Sequence, residues 1–237
     1  MKIELTPIAF VSSSFKEKFA TPRQPGLVKS AVGKIEFLPP FNNPEAVLGL
    51  ENCSHIWLQF VFHECMNQGW KPKVRPPRLG GNKKMGVFAT RATHRPNALG
   101  LSVVKLDQIT TNDNRVVLYV SGLDLIDGTP ILDIKPYIPY SDSLPEASYP
   151  FAQDAPELLP VKFESNVEPL LSKHPNLKLL IEEVLAQDPK PAFHAIDENR
   201  TYGAHLENVN VQWVYKETED HVCIHVTAID FHDSNGD

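Results

Sequence analysis

Three stretches of this 237-residue chain gather the side chains that do chemistry. In LDLIDGTPILDIKPYIPY, Asp133, Lys135 and Tyr137 recur at every second position, so on a strand they share a face. A carboxylate beside an ammonium can serve as a general base or orient one, and the same row also suits a structural ion pair. In GVFATRATHRPNALGLSVV, Arg91 and Arg95 flank a polar turn containing His94, Pro96 and Asn97. Such a turn presents donors at a strand end, suited to a carboxylate, a phosphate or a purine edge, or simply forms a hairpin with exposed arginines. In WKPKVRPPRLGGNKKMG, prolines bias the backbone toward an extended form. Lys71, Lys73 and Arg75 then line one side, with Arg78 following, a row of cations matched to phosphates or a solvated loop.

Two further constellations carry less. Cys53 and His55 mirror His63 and Cys65, four ligand types that zinc accepts. The run between them reads as a buried strand, which holds the pairs roughly 25 Å apart, so no metal is expected. DPKPAFH and NRTYG form a proline-restrained connection with Arg200 and Tyr202, either an RNA-stacking pair or a packed loop.

The elements that must position these residues are mainly β up to about residue 140. Short runs at 3–11, 33–38, 55–63, 86–90, 101–109, 115–122 and 129–137 are rich in Val, Ile, Leu and aromatics and bounded by Gly, Pro and Asn, the pattern of a barrel or sandwich. TTNDN joins two of them as a hairpin, and Asn43 with Pro44 can open a short helix over 44–50. Residues 141–157, dense in Pro, Ser and acids, read as a linker. Beyond them, 166–173 and 176–186 carry helical periodicity, with Leu177, Leu180, Ile181, Val184 and Leu185 on one face. Strands are expected at 209–216 and 221–229. The expected fold is therefore mainly β: a barrel over 1–140 and a small α+β domain over 158–237.

Net charge is −6, yet from Cys65 to Leu106 there is no Asp or Glu and there are nine Lys or Arg. That basic island in an acidic chain can steer a polyanion. No GxGxxG opens a helix and no GxxxxGK[ST] occurs, so a Rossmann cofactor site and a phosphate loop are not expected. Three cysteines fit a reducing compartment. No apolar run approaches the roughly 20 residues of a membrane span, and no secretory leader is evident, so the expected location is cytoplasmic.

PRQPGLVKS, FVFHE, RPPRLGG, MGVFATR, RPN, LGLS, LDLIDGTPILDIKPYIPY and the late DPKPAFH occur in this order. Together they closely resemble the TrmO family (also called YaeB or TsaA-like) of tRNA methyltransferases. The resemblance implies a β-barrel that binds S-adenosylmethionine, a homodimer with cofactor near the subunit interface, and a C-terminal domain that helps hold tRNA. It places cofactor contacts on Pro25, Gly26, Leu27, His63, Glu64, Arg91, Leu101, Leu123, Asp124, Leu125 and Ile126. It sets Asp133, Lys135 and Tyr137 at the target base. Ala98 stands where the family usually has a second Pro, and Ala-Thr-His separates Arg91 from Arg95, departures that bear on loop rigidity.

The expected reaction is direct methyl transfer to N6 of threonylcarbamoyladenosine beside the anticodon, with positioning supplying much of the rate and Asp133 taking the N6 proton directly or through Tyr137. Arg91 would meet the cofactor's carboxylate. Lys71, Lys73, Arg75, Arg78, Arg95 and Arg200 would grip RNA. The alternatives are a non-catalytic RNA-binding module and a methyltransferase acting on a small molecule or a protein.

Overall fold

The computed structural model describes residues 2–76, 83–112, 115–219 and 221–232. Arg78 of the cation row lies outside these. In chain order the elements are β1 (Ala9–Ser13), β2 (Val32–Phe37), β3 (His55–Val61), β4 (Lys73–Val74), β5 (Met85–Gly86), β6 (Leu99–Asn112), β7 (Arg115–Ser121), β8 (Pro130–Pro136), α1 (Pro139–Asp142), β9 (Val161–Phe163), α2 (Glu168–Leu171), α3 (Pro175–Ala186), β10 (Tyr202–Leu206), β11 (Val209–Glu217) and β12 (Val222–Phe231).

Six strands close into an antiparallel barrel in the order β1-β2-β7-β6-β3-β8, with β8 returning to β1. The reason is the alternation in each strand. In HIWLQFV, Ile56, Leu58 and Phe60 point inward and are buried, while Trp57, Gln59 and Val61 face out, as a period of two requires. Ile35, Val104, Leu118, Val120 and Ile131 are among the side chains that join them in the interior. β6 and β7 pair down to Asn112 opposite Arg115, which is the expected hairpin.

The stretch expected as a strand at 86–90 differs. Only Met85 and Gly86 pair, with Val74 and Lys73, and Val87–Ala89 tighten into a 3₁₀ turn. Val87 is the single buried side chain of that turn, so no alternating face held it as a strand. The short helix at 44–50 is likewise a 3₁₀ turn, Pro44–Val47, capped by Asn43 Oδ1 accepting from the Glu45 amide.

The second core is built on the sheet β10-β11-β12-β9, in which β9 runs parallel to β12. On α3 the five expected face residues Leu177, Leu180, Ile181, Val184 and Leu185 are all buried. The same cluster takes in Phe15, Ala20, Val28 and Ala31 from the N-terminal part of the chain. The segment between β1 and β2 therefore packs into the second core, although the strands that flank it belong to the barrel.

Candidate active site

The outer wall of the barrel, not its interior, carries the candidate site. On β3 the outward residues His55, Trp57, Gln59 and Val61 stand opposite Lys105, Val103, Leu101 and Leu99 of β6. On the other side Trp57 pairs with Lys135 and Gln59 with Asp133 of β8. Pro25, His55, Trp57, Arg91, Leu101, Val103, Tyr137 and Asp142 line an open hollow of about 470 Å³ against this wall, within the size range of small-ligand sites.

The row expected at Asp133, Lys135 and Tyr137 exists. Lys135 Nζ lies 2.7 Å from Asp133 Oδ2, and Asp133 Oδ1 accepts from the Ile134 amide at 2.9 Å. The pair is half exposed, so it orients the carboxylate more than it stabilises the fold. Of the three, Tyr137 lines the hollow; its ring packs 5.9 Å from Trp57 and 6.5 Å from His55. Asp133 and Lys135 continue the row along the strand.

The residues expected at the cofactor come from five segments, four of which are bonded to one another. The Gly26 amide donates to Gly122 O at 2.9 Å, and both glycines have positive φ, +76° and +75°, a conformation side chains resist. This lays Pro25, Gly26 and Leu27 against the loop that begins Leu123–Ile126. Arg91 donates to Gln24 Oε1 at 2.6 Å, next to Pro25. His63 and Glu64 open a 3₁₀ turn whose Cys65 thiol is 3.3 Å from the Thr93 hydroxyl and whose Gln68 meets His94 at 3.0 Å. That turn is fastened to the Arg91 loop. Leu101 projects from β6 and is 53% exposed.

Asp124 is the electrostatic oddity. Its Oδ1 is sequestered and has no hydrogen-bond partner among the described residues. Burial pushes its carboxyl up to about 6, against the opposing pull of Ser102 and Arg91. A carboxylate kept this dry needs a cation or donor nearby.

Two of the side chains expected at RNA also have partners within the chain. Arg95 donates to Val87 O at 3.2 Å and Thr90 O at 2.8 Å. Arg200 lies over the Tyr202 ring at 5.3 Å, and Tyr202 stacks on Trp213. Lys71, Lys73 and Arg75 are exposed, and no ion pair among the described residues holds them. Among the described residues no group of three or more His, Cys, Asp or Glu could hold a metal, and no helix is long and apolar enough to cross a membrane.

Sequence reasoning missed His55, Trp57, Val103 and Asp142. Trp57 was visible as an aromatic out of phase with Ile56 and Leu58. Asp142 was not, because it fell in the expected linker; it accepts from the Ile138 amide at 2.8 Å and from Trp57 Nε1 at 3.0 Å, bonds that lower its pKa, the first more than the second.

The chain matches the family model described as tRNA-methyltransferase O N-terminal domain over residues 10–143 and that described as TrmO C-terminal domain over 156–230. It is 51% identical over 212 residues to the tRNA (adenine(37)-N6)-methyltransferase of Escherichia coli K12, covering 87% of this chain and 90% of that protein. A Pseudomonas aeruginosa relative described as a candidate S-adenosylmethionine-dependent methyltransferase is 46% identical, covering 91% and 94%. The crystal structure of TrmO from Pseudomonas aeruginosa superposes with a TM-score of 0.79 at 38% identity, covering 97% of this chain and 99% of that one. With both halves matched in order and the superposition covering 97% of its length, the chain belongs to the tRNA-methyltransferase O family.

Proposed function

We propose that this chain is an S-adenosylmethionine-dependent enzyme that methylates N6 of adenosine 37 in tRNA, on the form bearing a threonylcarbamoyl group. The carrying observation is the hollow in which Arg91, Pro25 and Leu101 meet Tyr137 on one barrel wall. The Escherichia coli relative, named for the same atom and position, supports the reading.

The wall fits the cofactor. Leu101, Val103, Trp57 and Tyr137 offer apolar and aromatic surface, Arg91 a guanidinium for a carboxylate, and the buried Asp124, within electrostatic reach of Arg91, negative potential for a cation. When bound, the cofactor supplies a methyl group on a positively charged sulfonium. The chain's own residues do the rest. The loop at Pro25–Leu27 and the loop at Leu123–Ile126 hold each other through Gly26 and Gly122. His63 and Glu64 border the Arg91 loop. Tyr137 sets the target base against the wall. The acylated N6 gives up its proton to Asp133, directly or through Tyr137, while Lys135 keeps Oδ2 in place. Positioning supplies much of the rate, and Lys71, Lys73 and Arg75 hold the phosphates.

Two copies of the chain pair in this reading, with the exposed Leu99 and Leu101 near the join; sedimentation tests this. The enzyme acts in the cytoplasm.

The deciding experiment follows labelled methyl from S-adenosylmethionine into tRNA with and without the threonylcarbamoyl group. Label should enter only the modified tRNA, and Asp133→Ala should abolish transfer while calorimetry still shows cofactor binding. Cofactor heat without RNA label would point to another substrate. No heat would leave a non-catalytic RNA binder.

A further inference from the structure

The 3₁₀ turn at Val87–Ala89 is fastened from two sides. Arg95 donates to the carbonyls of Val87 and Thr90. Tyr149, from the stretch expected to be a linker, donates through its hydroxyl to the carbonyl of Ala89. Thr90 closes the turn with its own bond to Val87 O at 2.9 Å. These contacts fix a turn whose central side chain, Phe88, is 74% exposed with the Arg95 guanidinium 5.8 Å from its ring. A rigidly held aromatic in water gains nothing by burial and is a ready stacking partner.

Its surroundings are cationic. Val87 N donates to Pro72 O, and Lys73 pairs with Gly86, so the Lys71–Arg75 strap runs alongside the turn. Lys83 caps Phe151 at 5.0 Å, and Phe151 packs on Tyr149 at 5.8 Å. No acidic residue occurs between Cys65 and Leu106. Three residues beyond Phe88, Arg91 lines the hollow.

We infer that Phe88, with Arg95 beneath it, is a stacking platform for an unpaired RNA base flanking the target adenosine. Charge complementarity selects a polyanion, the exposed ring selects a base face, and the distance along the chain to Arg91 selects a neighbour of the reacting nucleotide. The inference rests on the tRNA reading above and adds to it a residue that binds through stacking, where the lysines bind through charge.

The test uses the full chain and synthetic anticodon stem-loop RNAs, one intact and others abasic at the nucleotide on either side of the target. Phe88→Ala should weaken binding of the intact loop at least about fivefold, Phe88→Trp should restore it, and neither should change the salt slope. On one of the abasic RNAs wild type and Phe88→Ala should bind equally. An equal loss on every RNA, no loss at all, or a change of oligomeric state in Phe88→Ala overturns the platform. Wild-type protein that binds no stem-loop overturns the tRNA reading as well, so the two failures are distinct.

Discussion

The Gln187 side-chain amide donates to the backbone carbonyl of Leu27 at 3.3 Å, across 160 residues of sequence. One turn earlier on α3, Glu183 Oε2 accepts from both the amide and the hydroxyl of Ser30 at 2.8 Å, and Arg23 donates to Asp188 O at 3.2 Å. The C-terminal domain thus holds the loop that presents Pro25 to the hollow.

Removing that hold should be felt at the cofactor. Bonds to a charged acceptor contribute about 1.5–3 kcal/mol each, so Glu183→Ala, which loses two part-buried ones, should lower stability by about 3 kcal/mol in urea titrations and weaken S-adenosylmethionine binding several-fold by calorimetry. Glu183→Gln should recover most of both. Unchanged cofactor affinity in Glu183→Ala would show that the loop keeps its shape without α3.

Arg91 and Gln24 give a graded pair. Arg91 is the cation of the hollow and Gln24 only steadies it, at 2.6 Å. Arg91→Ala should raise the S-adenosylmethionine Kd by about tenfold or more, the size of a lost charge-assisted bond. Gln24→Ala should raise it only about two- to threefold. A larger effect at Gln24 would mean that it, not Arg91, meets the ligand.

Asp124 makes stability depend on pH in a direction opposite to most carboxylates. Burial raises its folded-state value from 3.8 to about 6. Below pH ~4 the folded and unfolded forms are both protonated and no penalty exists. Between pH ~4 and ~6 the folded form retains a proton that the unfolded form sheds, so stability falls as pH rises, by about 3 kcal/mol in all. Asp124→Asn should therefore melt several degrees higher than wild type at pH 8 and show no such gain at pH 4. The cofactor's positive charge should favour the ionised form, so its affinity for wild type should rise from pH 5 to 7. A pH-independent difference in melting would remove burial of the charge as the cause.

The sequence discloses the parts of the fold that alternate or repeat. Ile56, Leu58 and Phe60 mark a barrel strand by period two, and Leu177, Ile181 and Val184 mark a helix by period 3.6. The Asp133–Lys135 pair was legible for the same reason. β10 was hidden because Tyr202, Ala204 and Leu206 alternate over only five residues behind the polar Asn199-Arg200. The site's location was hidden by a deeper cause. Whether Trp57 faces water or a ligand depends on what β6, β8 and α1 bring beside it, and strand pairing over long separations is not written in any local pattern. The Tyr149–Ala89 bond, which ties the expected linker to the basic loop, is of the same kind.

Gly33 offers a test of how tightly the barrel supports the loop at Leu123–Ile126. It lies on β2 opposite Val120 and Ser13. A Cβ there would come within 2.2 Å of Leu123 Cδ1 and 2.8 Å of the Ser12 carbonyl oxygen. The side chain could swing aside, but the carbonyl belongs to β1 and cannot move without opening the barrel ladder. Overpacking of this kind costs about 1–3 kcal/mol. Gly33→Ala should lose about that much in urea unfolding. Displacement of Leu123 should also weaken S-adenosylmethionine binding, whereas Gly86→Ala, with nothing within 4 Å of its Cβ, should leave stability unchanged. Equal stability of the two variants would mean that β1 and Leu123 yield freely, and that this loop is not braced by the barrel wall.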